Sequence, residues 1–240
     1  MILEGKRVLI TGGARRVGAA VAVRLARSGC RVALHCRSSV AEAEKLLSEL
    51  PGSGHSLHVM DLIPPGAPER LCREVGTFDL LVNNASAFFR PGSPEDAAAS
   101  ELYHRLNFRV PAELLEYFAA QNPTEGAAVN LTDCAVLAPG SGAYYESKLA
   151  LARLTESLAV QWGPRNLRIN AVAPGAVLPP AWAPESRMTG ILAATPLHRA
   201  VAPSDIADLV AFSFRCDSLT GAVIPLDGAL HLLLFEQEKK

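Results

Sequence analysis

What most constrains this 240-residue chain is a regular alternation of short apolar runs rich in β-formers with longer stretches of helical spacing. The apolar runs are Arg7–Ile10, Arg31–Cys36, Ser56–Met60, Leu80–Asn83, Ala127–Thr132, Arg168–Val172 and Ala222–Leu226. Helical patterns fall near 17–28, 41–50, 67–75, 95–120, 143–162 and 203–215. The runs are continuously apolar rather than alternating, the pattern of parallel strands covered on both faces. Strand–helix alternation of this kind predicts a single α/β domain over 1–240, a doubly wound parallel sheet of about seven strands. Such sheets take ligands at the carboxyl ends of their strands.

Composition narrows the partners. With 49% hydrophobic residues the chain can bury a substantial core. Its 20% charged residues and net charge of -1 give no electrostatic case for nucleic acid or an anionic membrane. No apolar stretch approaches the ~20 residues that span a bilayer. Ala229–Phe235 is too short and is expected in the core or in a subunit contact. No signal peptide is visible. The cysteines at 30, 36, 72, 134 and 216 are odd in number and form no CxxC pair. They suggest neither disulfides nor a metal site, and a reducing cytoplasm is the expectation. His55 and His58 form an HxxH pair without a third ligand and read as surface polar residues. A Pro/Gly-rich segment with Pro174, Gly175, Pro179, Pro180, Pro184 and Gly190 breaks the alternation. Its length suggests a lid or substrate loop near 174–200.

The first strand runs into Thr11-Gly12-Gly13-Ala14-Arg15-Arg16-Val17-Gly18 and then an Ala-rich helix. A glycine turn between strand and helix lets backbone N–H groups and the helix dipole meet a pyrophosphate. The fold expectation is therefore Rossmann-type, and the cofactor-facing candidates are Thr11, Gly12, Arg15, Arg16 and Val17. An acid at the end of the second strand would bind the ribose 2′-hydroxyl of NAD. Here the chain has His35-Cys36-Arg37-Ser38-Ser39, with no acid before Glu42. A guanidinium and hydroxyls suit a 2′-phosphate, so NADPH/NADP+ is the expected cofactor, held by Arg37 and Ser38.

Tyr144 and Lys148 lie four residues apart, on one face of a helix. A free phenol has a pKa of ~10. A nearby ammonium would lower it, making a usable acid/base pair. Tyr145 has the wrong spacing to Lys148 and is expected to be structural.

Together these motifs resemble the short-chain dehydrogenase/reductase family over essentially the whole chain. Thr11, Gly12 and Gly18 match its TGxxxGxG loop, with Arg16 at the middle glycine. Asn170-Ala171-Val172-Ala173-Pro174-Gly175 matches its N-x-[VI]-x-PG segment, and Thr220-Gly221 with Leu226-Asp227-Gly228 its final strand region. The resemblance implies further roles. Asp61-Leu62 would contact the adenine, Asn84-Ala85-Ser86 the adenine ribose, and Pro174-Gly175 the cofactor. Lys148 would bind the nicotinamide ribose, and Asn107 would hold a water linked to the lysine. Four departures resemble the pteridine reductase branch. Arg16 would face phosphates and substrate, Ser86 replaces a glycine, and Phe88 would stack on a flat pterin. Asp133 stands where the family has its catalytic serine. Only eleven positions separate Asp133 from Tyr144, so a shortened loop could displace it, leaving Thr132 or Ser141 as fallback hydroxyls.

These implications point to an NADPH-dependent reductase of pterins or dihydrofolate-like substrates, with catalytic Tyr144, Lys148, Asp133 and Asn107. The substrate contacts would be Arg16, Phe88, Asp133 and Tyr144. The alternatives are a carbonyl or 3-oxoacyl carrier-protein reductase of the same family and, in a different class, a cofactor-sensing protein without turnover. Family analogy implies a homo-oligomer, commonly a homotetramer. Cys134 and Trp182 receive no role.

Overall fold

The computed structural model describes residues 1–90, 93, 96, 98–122, 124–179 and 185–236, with backbone alone for 185–187 and 234–236. Trp182, Pro180 and Pro184 lie outside the described residues. Seven strands form one sheet: β1 Arg7–Ile10, β2 Arg31–Cys36, β3 Ser56–Val59, β4 Leu80–Asn83, β5 Gly126–Leu131, β6 Leu167–Pro174 and β7 Val223–Leu226. Their order is β3-β2-β1-β4-β5-β6-β7 and every pairing is parallel. The chain therefore reverses its direction of travel across the sheet between β1 and β4. The loops after these two strands diverge there and open a crevice.

Helices cover both faces: α1 Arg16–Ala26, α2 Val40–Glu49, α3 Ala67–Val75, α4 Ser100–His104, α5 Val110–Gln121, α6 Ala143–Trp162, α7 Glu185–Ala194, α8 Pro203–Arg215 and α9 Leu230–Glu236. On one face, Val8, Ile10, Val32 and Leu34 pack with Val21 and Leu25 of α1 and Val210 and Phe214 of α8. On the other, Leu9, Leu81 and Ile169 pack with Leu71 of α3, Leu114 and Phe118 of α5 and Trp162 of α6. Successive strand residues thus enter opposite cores, which is why both parities of the sequence are apolar. Each such side chain contributes about 1.5–3 kcal/mol on full burial.

Three segments differ from expectation. The helix expected near 95–120 is interrupted by a π-helical turn at Arg105–Arg109, around Asn107. The segment expected as a loop near 174–200 carries α7, where Met188, Ile191 and Leu192 share a partly buried stripe at i, i+3 and i+4 spacing. The apolar stretch 229–235 forms most of α9. His55 and His58 are partly buried rather than surface residues. His55 Nδ1 accepts from Val32 N–H, and His58 bonds Ser56 and faces Glu74, tying down the β3 edge. All five cysteines are free thiols, and no metal-binding cluster occurs among the described residues. Among the described residues, no helix is long and apolar enough to cross a membrane.

Candidate active site

The crevice between β1 and β4 is a cleft of about 500 Å³. Its floor is the loop between β1 and α1. Arg16 adopts φ 56°, the left-handed region where an L side chain is strained. That conformation explains why glycine suits this position in related loops. Gly18 is needed for a different reason: a Cβ there would come within 2.3 Å of the Gly12 carbonyl and 2.8 Å of Asn84 Nδ2.

The loop after β4 is sewn to the loop after β1. Asn84 Nδ2 donates to the carbonyls of Thr11 and Gly12 at 2.8 and 2.9 Å. The amides of Asn84 and Ala85 both donate to Thr11 Oγ1. Thr11, Gly12, Asn84 and Ala85 therefore form one hydrogen-bonded unit. Ser86 Oγ donates to Asn107 Oδ1 at 3.0 Å, and Ala87 N–H donates to the same oxygen at 2.8 Å.

At the adenosine end, Arg37 and Ser38 are exposed and line the cleft with Asp61 and Leu62. Arg37 has no ion-pair partner among the described residues. Asp61 Oδ1 accepts from Ile63 N–H, so one oxygen closes a local turn. Arg15 lies 3.6 Å from Glu42, and Val17 lines the cleft. Arg16, expected to face phosphates and substrate, lines the cleft and donates to the carbonyls of Leu178 and Pro179 at 2.9 and 3.1 Å. A guanidinium strongly prefers strong acceptors, and here the segment after β6 presents two carbonyls to it. Gly175 N–H donates to Leu226 O, and a Cβ on Gly175 would strike Asp227. Pro174 and Gly175 are thereby held against the end of β7.

The candidate catalytic side chains gather at the carboxyl end of β5. Asp133 accepts the Tyr144 hydroxyl at 3.0 Å and caps the short turn that follows through Ala135 N–H. The short connection does not displace Asp133. Tyr145 secures it by donating its hydroxyl to Ala138 O at 3.0 Å. The fallback hydroxyls are elsewhere, for Thr132 donates to Val172 O and Ser141 is exposed. Phe88 lies over Tyr144 with ring centroids 4.7 Å apart, is 41% exposed and lines the cleft.

Lys148 is buried and donates to Leu131 O at 2.9 Å. Burial draws its pKa down to about 8, opposed by Asp133. The Tyr144 phenol, expected to be acidified by Lys148, lies well above its ordinary value. Burial is the main cause and the neighbouring Asp133 adds to it. Burial also raises Asp133, against the hydrogen bonds it accepts and the Lys148 charge. Burial thus holds the proton on Tyr144, while Asp133 accepts its hydrogen bond. This makes the phenol a donor rather than a ready phenolate.

The Asn107 side chain ties the loop after β4 to α6. Besides the bonds from Ser86 and Ala87, its Nδ2 donates to Ala87 O and to Ser147 Oγ, both at 3.2 Å. The π-helical turn around it breaks the regular backbone ladder at a functional position.

Three contributors escaped sequence reasoning. Ser147 Oγ links Asn107 to the Tyr144 carbonyl. Tyr103 is buried, donates to Asp96 at 2.7 Å, accepts from Phe89 N–H at 3.0 Å, and packs edge-on to Tyr144 with ring centroids 5.6 Å apart. His35 contacts the loop after β1. Its only sequence signal was a titratable residue inside an otherwise apolar strand, which must find partners when buried.

The family model described as enoyl-(acyl carrier protein) reductase matches residues 12–231. L-xylulose reductase of Bos taurus is 31% identical over 94% of this chain and 96% of its own length. Oxidoreductase UcpA of Escherichia coli K12 is 32% identical over 94% of each chain. FolM alternative dihydrofolate reductase 1 from Brucella suis, solved with NADP, superimposes with a TM-score of 0.85 at 33% identity over 97% of each chain. A short-chain dehydrogenase/reductase from Serratia marcescens gives 0.88 at 27% identity, covering 96% of this chain and 100% of that one. These matches extend over nearly the full length of the relatives, and the chain belongs to the short-chain dehydrogenase/reductase family of oxidoreductases.

Proposed function

We propose that this oxidoreductase is an NADPH-dependent reductase of flat nitrogen heterocycles of the pterin or dihydrofolate class. The observation that carries the reading is the Asp133 carboxylate 3.0 Å from the Tyr144 hydroxyl. An ionised carboxylate beside the proton donor opposes a developing alkoxide. It suits a substrate that presents N–H groups or takes up a proton at nitrogen. The FolM structure from Brucella suis supports the same direction at 33% identity, and that protein is complexed with NADP.

The cofactor site fits the proposal on its own chemistry. The exposed Arg37 and Ser38 line the cleft beyond β2, where a 2′-phosphate needs cationic and hydroxyl partners. When bound, NADPH supplies the reducing equivalent. The protein's part is placement and the proton. Phe88 lines the cleft beside Tyr144, where an aromatic side chain suits a planar ring. Tyr144 delivers the proton, and Asp133 holds the phenol oriented and neutral. Lys148, in its charged form, supplies the positive charge near the Asp133–Tyr144 pair and hydrogen-bond donors for a ribose.

A second reading, reduction of open-chain carbonyls, is favoured by the relatives. They include L-xylulose reductase and, at 30% identity, D-erythrulose reductase of Gallus gallus. A screen of NADPH oxidation over dihydropterins, dihydrofolate and simple ketones separates the two. Turnover of dihydropterins is expected, and turnover of ketones alone overturns the proposal. Asp133→Ser is expected to lower heterocycle reduction and raise ketone reduction. A cytoplasmic location and a homotetramer accompany the proposal, the latter to be checked by light scattering.

A further inference from the structure

His35, the penultimate residue of β2, is a polar side chain only 2% exposed. Its two ring nitrogens join three elements. Nδ1 faces Gly12 N–H at 3.3 Å, and Nε2 lies 2.9 Å from Met60 O, just beyond β3. The partners determine the tautomer. An amide N–H can only donate and a carbonyl can only accept, so Nδ1 is the bare acceptor and Nε2 carries the proton. Burial enforces the neutral ring by lowering its pKa to about 4. His58 adds to this, while the Met60 hydrogen bond and Asp61 oppose it.

The same residue also takes up the next amide. Gly13 N–H donates to His35 O at 2.8 Å. The first two glycine amides of the loop are therefore turned toward β2, not toward the cleft. A pyrophosphate must then be met by the amides at the mouth of α1, near Arg15, Arg16 and Val17. Where that mouth sits depends on how Gly12 and Gly13 are tethered.

We infer that His35 is a positioning residue for the cofactor. By holding Gly12 through Nδ1 and Gly13 through its carbonyl, it aims the start of α1 at the dinucleotide pyrophosphate. The inference rests on the reading of this cleft as a NADPH site. It adds that affinity for the shared part of NADPH and NADH depends on a hydrogen-bond acceptor at the Nδ1 position.

Three folded variants test it by fluorescence titration with NADPH and NADH. His35→Leu removes the acceptor and is expected to weaken both nucleotides about tenfold by the same factor. Their affinity ratio should not move. His35→Asn restores an acceptor at the Nδ1 position and is expected to recover most of the loss. His35→Gln restores only the reach toward Met60 and should bind as weakly as His35→Leu; it replaces that variant if leucine prevents folding. The kcat at saturating NADPH should stay near wild type throughout. Wild-type affinity in both the leucine and glutamine variants overturns the inference. So does a changed NADPH/NADH ratio, which would mean direct contact with the 2′-phosphate end. Equal weakening in the asparagine variant assigns His35 to fold stability alone. A wild-type protein that binds neither nucleotide overturns the NADPH reading itself, and the inference with it.

Discussion

The two halves of the cleft are built differently. The cofactor half, around Thr11, Gly12 and Asn84, is closed by two side chains, Thr11 and Asn84, bonded to backbone groups of the facing loop. The substrate half, around Phe88, Tyr103, Asp133 and Tyr144, is held by aromatic rings and a side-chain carboxyl. These cross-links fix one geometry for the loops after β1 and β4. Ring packing and a single carboxylate can be changed one residue at a time. On the proposed reading, the first half binds the cofactor and the second chooses the substrate.

The largest effect expected comes from the junction of the halves. Tyr144→Phe should lower kcat by about 10²–10⁴-fold, the range for losing a positioned acid. NADPH affinity by fluorescence titration should stay unchanged, because the phenol belongs to the substrate half. A parallel loss of NADPH binding would break the division. In the cofactor half, Asn84→Ala leaves two carbonyls without their donor. It should cost about 1–3 kcal/mol in chemical denaturation. It should also raise the KM for NADPH while sparing kcat for the substrate.

Smaller effects are expected within the substrate half. Tyr103→Phe removes the hydroxyl that holds Phe89 N–H and should raise the KM for a dihydropterin about fivefold, within the ~1 kcal/mol of one neutral hydrogen bond. A simple ketone, which does not use the Phe88 face, should show little change in KM. The smallest and most gradual effect is on pH. Lys148 is charged below its pKa of about 8 and neutral above it. If its charge assists the Tyr144–Asp133 pair, kcat/KM for NADPH, which reports free enzyme, should fall as pH rises through about 8. A profile flat to pH 10 would remove Lys148 from proton handling and leave it a ribose ligand.

The cofactor half was the more legible in sequence. Its parts are contiguous: a glycine turn between a strand and a helix, an Asn-Asn-Ala end to β4, and Arg37-Ser38 after β2. The strand limits agree within a residue or two at nearly every end, because continuous apolar runs between turn residues admit few other readings. The π-helical turn at Arg105–Arg109 was invisible because it arises where Asn107 bonds the loop at Ser86 and Ala87, twenty residues away. The bond from Tyr103 to Phe89 crosses a segment with no periodicity to read. Helix α7 was masked by the Pro/Gly content around it.

Sequence alone determined the alternation of strands and helices, the parallel sheet and the pairing of Tyr144 with Lys148 on one helix. These follow from local periodicity and i,i+4 geometry. Tertiary structure decided the charge states and the partners. It kept Asp133 against Tyr144 despite the short loop, because Tyr145 clamps that loop to Ala138. It turned Arg16 to the carbonyls of Leu178 and Pro179, more than 160 residues away in the chain. It raised the Tyr144 phenol where spacing to an ammonium had suggested the opposite. Burial and long-range contacts set proton affinities, and neither is encoded in the spacing of neighbours along a chain.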